Sequence, residues 1–345
     1  MSACPVPRSS YDAIVLGHGS GGRLSHDLVA RVFGPSFSYD ESFAVEDQAI
    51  VRIPGAGEIA LTTDSFVVDP LFFPGGDIGK LSVFGTVNDL AVGGATPLSI
   101  AAAFILEEGF DIATLRLIAE SMRTACDQTG VRLVTGDTKV VERGRGHGVF
   151  ITTTGVGVRR PGVRLSATLA RPGDRVIVSG TLGDHGIAVL AAREGIELET
   201  SLVSDLAPLT GLVDAMLVAS TEIHSMRDPT RGGLSSALFE IANASKVGVV
   251  IHESKLPLKA EVRGACELLG FDPMYVANEG KLVAIVAPEA ADAVLEAMRR
   301  HPLGKDAAIV GEVVGDHPGI VTSRSVIGGE RIVALLAGEQ LPRIC

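Results

Sequence analysis

The sequence predicts two α/β units in one chain, the first a β-rich α+β unit and the second a mixed α/β unit. Three observations lead there. A chain of 345 residues is longer than one hydrophobic core comfortably organises. Short β-like runs alternate with longer segments whose apolar residues recur at helical spacing. Both patterns break at "VRRPGVRLSATLARPGD", where proline, glycine and arginine gather without a period, and both resume after it. The expected units are residues 1–160 and 161–336, followed by a mobile tail, 337–345, that has no periodicity and ends on Cys345.

In chain order, "DAIVLGHGSGGRLSHDLVARVFG" reads as a brief strand, a glycine loop and a helix. "DQAIVRI" and "EIALTTDSFVV" read as strands joined by the turn-forming "PGAGE". Residues 78–92 carry apolar side chains at helical spacing and stop at Gly93-Gly94. "PLSIAAAFILEE" is a strand with buried character, and a helix opens on Asp111 and closes at Gly130. "VRLVTGDTKVV" and "HGVFITTTGVGV" complete a ββαβαββ order. The second half restarts with the strand "DRVIVSG" and a helix from about Asp184. Further helices are expected near 209–221 and 231–245, with strands at "VGVVIHE", "KLVAIVAP", "AAIVGEVV" and "RIVALLA".

Composition narrows the function classes. A net charge of −11 with no basic patch argues against nucleic acid or an anionic membrane as partner. There is no basic-then-apolar leader and no long uncharged apolar run, so a membrane span is not expected. Cys4, Cys126, Cys266 and Cys345 are scattered without a CxxC pair, which fits reduced thiols and a cytoplasmic protein.

Gly17, Gly19 and Gly22 satisfy GxGxxG, with Gly21 beside them. The context is wrong for a dinucleotide fold, because no buried parallel strand follows the helix. Consecutive N–H groups at a helix start can still bind anionic oxygens, so phosphate contact and a simple chain turn both stay open for this loop. "GGDIGKL" falls one residue short of a P-loop and places Leu81 where a magnesium-binding hydroxyl belongs, which leaves Lys80 as a candidate phosphate-neutralising cation.

The acidic residues are more informative. Asp64 and Asp137 end apolar strands, and Asp89 lies inside an apolar helix. Each alone reads as a cap or a hydrogen-bonded turn. Three such carboxylates flanked by Lys80 and Lys139 point instead to a Mg2+–nucleotide site that compensates their lost hydration. In the second half, "RDPTRGGL" sets Asp228 and the pair Gly232-Gly233 at a helix N-terminus, a second anion-ready loop. Glu279 in "NEG" stands at a strand edge, either as a turn residue or as a base.

Together "LGHGSGGRL", "TTDSFVVDPLFFPGGDIGKLSVFGTVNDLAVGGATP", "GDTKVVERG", "DPTRGGLSSALFEIA", "ANEGKLV" and the terminal "PRIC" resemble the family of aminoimidazole ribonucleotide synthetase, selenophosphate synthetase and thiamine-monophosphate kinase, and within it the hydrogenase-maturation branch. The resemblance spans essentially the whole chain. It implies an ATP-binding two-domain fold that pairs into a homodimer through the N-terminal sheets. It implies ATP and Mg2+ as cofactors, held by Asp64, Asp89 and Asp137 with Lys80 and Asn88, and by the glycine loops of Gly19, Gly21, Gly22, Gly232 and Gly233 with Asp228. It further implies a carbamoyl group delivered to Cys345 by a HypF-like carbamoyltransferase. That thiocarboxamide is dehydrated to a thiocyanate with Lys139 and Glu279 as proton acceptors, and its cyanide passes to iron on a HypC–HypD-like scaffold complex. Eight residues from Gly338 span about 25 Å when extended, enough for a carrier arm. Two other readings compete: a selenophosphate synthetase-like enzyme for a diffusible acceptor, and a non-catalytic carrier whose tail docks a partner.

Overall fold

The computed structural model describes residues 13–36, 46–54, 57–196, 202–325, 327–336, 341 and 343–345. Among the described residues, 13–15 form no strand where one is expected. Leu16–Gly19 forms a 3-10 turn, followed by α1 (Arg23–Leu28), a π-turn at Val29–Phe33 and a last helical turn, α2 (Gly34–Ser36). Ile14 and Leu16 are exposed and pair with no strand among the described residues.

The first sheet has the order β1-β2-β7-β5-β6. Its strands are β1 (Ala49–Ile53), β2 (Gly57–Phe66), β5 (Ala95–Glu107), β6 (Arg132–Val141) and β7 (Val149–Arg159); β3 (Phe72–Phe73) and β4 (Gly76–Asp77) form a small hairpin beside it. All pairs in the large sheet are antiparallel except β5 with β6, which are parallel. A parallel pair needs a crossover, and α4 (Ile112–Thr129) supplies it, capped by the Asp111 carboxylate and closed by left-handed Gly130.

The central element is α3 (Ile78–Val92). Apolar residues surround it on every side, and 13 of its 15 residues are buried. One side packs on the first sheet and α4, and its C-terminal Ala91 and Val92 belong to the core of the second half. Asp77 caps it, accepting hydrogen bonds from the N–H groups of Gly79 and Lys80.

The second sheet has the order β14-β13-β10-β12-β8-β11-β9. Its strands are β8 (Arg175–Val178), β9 (Ile223–Arg227), β10 (Gly248–His252), β11 (Val283–Val286), β12 (Ala308–Val314), β13 (Val321–Arg324) and β14 (Glu330–Ile332). Helices α6 (Thr210–Ala219) and α9 (Ala291–Arg300) cover one face, and α7 (Gly233–Ser245) the other. Helices α5 (Asp184–Glu194) and α8 (Ala260–Leu269) pack together, and Val189 of α5 enters the first core. The sequence reading omitted the β3–β4 hairpin, β9, β13, α8 and α9. Strand β9 is short and carries His224 and Arg227, whereas α9 has a strong apolar stripe (Ala291, Val294, Leu295, Met298) that was legible.

Candidate active site

Two cavities meet where the loop before α7 crosses the ends of β2 and α3. The first, of about 260 Å³, is lined by Asp47, Asp64, Asp89, Asp228 and Glu240, by Thr62 and Thr63, and by the backbone of Gly21 and Gly233. Oxygens of Asp47, Asp89 and Asp228 can all lie within 4.8 Å of one another. Alternation along β2 turns Thr62 and Asp64 toward α3, and the Thr62 hydroxyl donates to Asp89 at 2.8 Å.

Burial first, then repulsion among neighbouring carboxylates, pushes Asp89 well above the usual carboxylate range, and burial does the same to Asp47 against the pull of Arg227. Asp228 is pushed up to about 7 by burial and by Asp64. Such a cluster calls for positive charge. Arg227 provides some of it, paired with Asp47 at 2.8 Å and with Glu240. Arg231 approaches Asp64 at 3.9 Å.

The second cavity, of about 80 Å³, holds the end of the chain. Its lining includes Gly19, Gly22, Gly232, Leu341, Ile344 and Cys345, with Arg231 shared between the two cavities. The terminus docks beside the segment after β2 through backbone bonds. The N–H of Val67 donates to the Cys345 carbonyl at 3.0 Å and that of Asp69 to the Arg343 carbonyl at 3.1 Å. Arg343, in the left-handed region at φ +55°, returns its Nε–H to the Val67 carbonyl and approaches Asp69 at 3.7 Å. Ile344 is buried in the first core. Its carbonyl lies 2.9 Å from Nε2 of His185, a buried ring that meets Ser204 at 2.7 Å through Nδ1 and Phe73 edge-to-face. Burial holds His185 below its usual pKa, so the neutral ring donates from Nε2.

Glu279 lies in the wall behind these cavities, fully buried, with its Oε1 lacking a hydrogen-bond partner among the described residues. Burial, then Asp228, Asp205 and Asp64, raise its pKa well above the usual range. Its backbone N–H is fixed by Asp205, which pairs with Lys281 at 3.4 Å.

The structure therefore gathers Asp64, Asp89, Asp228, Gly21 and Gly233 around one cavity and Gly19, Gly22, Gly232 and Cys345 around the other. It separates the rest. Asn88 requires a correction: it is fully buried, donates to the carbonyls of Ala207 and Glu279 and accepts from the N–H of Leu209. Its amide joins the two halves, with both N–H groups used and no surface exposed to either cavity. Lys80 stands in the first turn of α3, about 13 Å along the axis from Asp89.

Asp137 and Lys139 lie on edge strand β6. Register carries them onto the open face of the sheet, opposite the face of Asp64, and about 14 Å away across three strands. There they pair with each other at 2.8 Å, both largely exposed. Sequence reasoning missed Asp47, Arg227, Arg231, Glu240 and His185. Arg227 and Arg231 sat inside a quoted motif, whereas His185 and Glu240 carried no local signal. The expected mobility of the tail meets a terminus docked at residues 343–345; residues 337–340 and Pro342 lie outside the described residues.

The chain matches known proteins along most of its length. Residues 45–159 match the N-terminal domain, and residues 171–323 the C-terminal domain, of AIR synthase related protein. The carbamoyl dehydratase HypE of Rhizobium leguminosarum bv. viciae is 54% identical over 333 residues, 96% of this chain and 95% of its own length. A solved HypE–HypF complex superposes with a TM-score of 0.85 at 48% identity, covering 90% of this chain and 99% of that one. A solved HypE in complex with ATP gives a TM-score of 0.81 at 42% identity, covering 96% of this chain and all of that one.

Proposed function

Because this chain belongs to the AIR synthase related family and, within it, to the HypE carbamoyl dehydratases, we propose that it dehydrates a carbamoyl group carried on its own Cys345. The product is a thiocyanate whose cyanide serves the iron centre during [NiFe]-hydrogenase maturation. The observation that carries this reading is the docking of Cys345 in a cavity that shares a wall with the acid cavity. A selenophosphate-type enzyme acting on a diffusible acceptor has no use for such a docked thiol, and the 54% identical relative is a carbamoyl dehydratase.

The acid cavity fits Mg2+ and a nucleotide phosphate. Three carboxylate oxygens within 4.8 Å, mutually repelling and backed by the glycine loops, are a hard-cation ligand set. Asp47, Asp89 and Asp228 would hold the metal, with Asp64 beside them. When bound, ATP turns the carbamoyl oxygen into a phosphate leaving group. The tail contacts of Val67, Asp69 and His185 hold the thiol end in place, so the reaction becomes effectively intramolecular. Glu279, with its raised pKa, is a strong base once ionised and is the candidate acceptor of a nitrogen proton.

Lys139 and Asp137 face away from this site in one copy. Leu61, Ile105 and Val158 are exposed apolar residues on the same open face, suited to a homodimer. We assign Lys139 and Asp137 to act across it, the partner subunit's Lys139 serving this chain's Cys345. The carbamoyl donor is a HypF-like carbamoyltransferase and the cyanide acceptor a HypC–HypD-like scaffold, in the cytoplasm. No described helix is long and apolar enough to cross a membrane.

The test is intact-mass analysis after incubation with ATP, Mg2+, carbamoyl phosphate and the cognate carbamoyltransferase. Wild-type protein gains a carbamoyl mass that then loses one water, and Cys345→Ala gains neither. A normal adduct on Cys345→Ala sinks the reading. Mixing Lys139→Ala with Cys345→Ala subunits restores activity only if Lys139 acts across the dimer.

A further inference from the structure

We propose that Arg231 is a catalytic residue of this dehydration: shared between the acid cavity and the tail cavity, its guanidinium neutralises the phosphoryl group as it passes to the carbamoyl oxygen on Cys345. The inference rests on the function proposed above and adds the residue that joins its two halves.

The four arginines around the site are not equivalent. Arg227 is buried between Asp47 and Glu240. Arg343 is bound to Val67 and Asp69 of the tail groove. Arg23 lies at the start of α1 and is largely exposed, with Asp27 4.0 Å away. Arg231 alone of the four lines both cavities. Among the described residues its guanidinium makes one ion pair, to Asp64 at 3.9 Å, and no hydrogen bond, so its planar fork of donors is available to a ligand. Half of its side-chain surface stays open to the cavities, at 47% exposure.

Its position is set by backbone constraints rather than by side-chain packing. Gly232 and Gly233 both adopt left-handed conformations, at φ +75° and +59°. A Cβ on Gly233 would come within 2.7 Å of the Met274 and Val276 carbonyls. On the other side, a Cβ on Gly21 would come within 2.9 Å of the Arg231 carbonyl. The glycine loop and the turn before α7 thus clamp the Arg231 backbone between them. The charge environment agrees with the geometry: the negative charge at Cys345 raises the pKa of Arg231 most, ahead of Asp64, Glu279 and Asp89.

The step balances as follows. The carbamoyl oxygen forms a bond to the γ-phosphorus while the bond to the bridging oxygen breaks, and that electron pair leaves with ADP. Loss of one nitrogen proton gives an S–C(=NH)–O–phosphate group. The C–O bond then breaks, its electron pair leaves with phosphate, and loss of the second nitrogen proton gives S–C≡N. Negative charge peaks on the phosphoryl oxygens in the first step and on the departing phosphate in the last. Both lie between nucleotide and thiol, the region that Arg231 borders, and a fixed planar cation is suited to both.

The experiment compares wild-type, Arg231→Gln and Arg231→Lys proteins carrying the carbamoyl adduct. Conversion to thiocyanate is read by intact mass after adding Mg2+–ATP, and affinity for a non-hydrolysable ATP analogue is read by calorimetry. A role in charge neutralisation predicts that Arg231→Gln forms the carbamoyl adduct and binds the analogue within about threefold of wild type. Its conversion falls about 100-fold to 1000-fold, the range for removing one such donor. Added guanidinium ion restores part of the loss, and Arg231→Lys falls between. Conversion by Arg231→Gln within about threefold of wild type overturns the proposal. Equal losses of analogue affinity and conversion overturn it too, because Arg231 would then only bind nucleotide. Failure of wild type itself to form the thiocyanate overturns the function on which the proposal rests, and is distinguished by that control.

Discussion

The two cavities on either side of Arg231 are built from opposite materials. The acid cavity is lined by carboxylates and hydroxyls whose mutual repulsion no described residue fully cancels. The tail cavity has no carboxylate side chain in its lining: glycines, apolar side chains, Ser20, Ser236, Tyr275, Arg231 and Arg343 surround it, and Ile344 and Cys345 form part of its wall. The first suits a charged ligand from solution, which under the proposed function its carboxylates would hold through a cation. The second is a groove for the protein's own peptide, held by backbone hydrogen bonds, the Arg343 side chain, the buried Ile344 and the buried His185. The proposed chemistry, which requires both a nucleotide and a peptide-borne thiol, would be divided between two surfaces that share Arg231 and Ser236.

That division can be broken from either side. The largest effect is expected from Asp89→Asn, which replaces a charged carboxylate of the proposed metal cluster by a neutral amide. Mg2+-dependent nucleotide binding should fall by a factor of about 100 or more, about 3 kcal/mol, as for loss of a charged hydrogen-bonding partner. Calorimetry checks this, while alkylation of Cys345 should proceed at the wild-type rate. The same variant relieves repulsion, so in the absence of metal its Tm should rise by about 2 °C or more.

From the other side, His185→Phe removes the donor to the Ile344 carbonyl and leaves nucleotide affinity intact. Loss of one buried hydrogen bond, about 1.4 kcal/mol, should speed alkylation of Cys345 roughly tenfold. An unchanged rate would show that the Val67 and Asp69 contacts hold the terminus alone.

pH separates the cavities next. The Asp228 carboxyl has its pKa raised to about 7, so the native state keeps a proton that the unfolded chain releases above about 4. Metal-free protein should therefore lose stability as pH climbs from 5 toward 7.5, with Asp47, Asp89 and Glu279 acting in the same direction. His185, lowered by burial, acts in the opposite sense: its contribution is present above its unfolded pKa and is lost as pH falls below it. Mg2+ affinity should strengthen over the same rise in pH, because the ligands must be ionised. Thermal melts with and without Mg2+ test both statements, and a melt independent of pH would contradict the buried cluster.

The smallest effect belongs to the exposed pair on β6. Asp137→Ala should leave the Tm of the dissociated chain unchanged, since an ion pair open to water in one copy contributes little, and any loss should be confined to the proposed homodimer. A large loss of stability would show that β6 is covered in solution.

Much of the fold was legible because periodicity and caps are local. The helix at 78–92 stops at its glycine pair, Asp111 caps α4, and the ββαβαββ order holds for the five-stranded sheet, with the β3–β4 hairpin added between β2 and α3. Within the site, Asp64, Asp89 and Asp228 announce themselves as acids in apolar or glycine-rich surroundings. Asp137 carries the same kind of signal, yet lies on the opposite face of the sheet. Asn88 also looks functional, yet its amide joins two halves of the molecule. Strand pairing and helix packing decide which face a side chain meets, and neither is written in its neighbours along the chain.

By itself the sequence determined most of the helices and longer strands and the acidic character of the segments that line the first cavity, since each depends on residues close together. Only the tertiary structure decided that Asp47 joins Asp89 and Asp228, that His185 holds a residue 159 positions away, and that the terminus rests inside. Those contacts bring distant segments within hydrogen-bonding reach. Burial then gives the carboxyl and imidazole groups the pKa shifts that no composition could foretell.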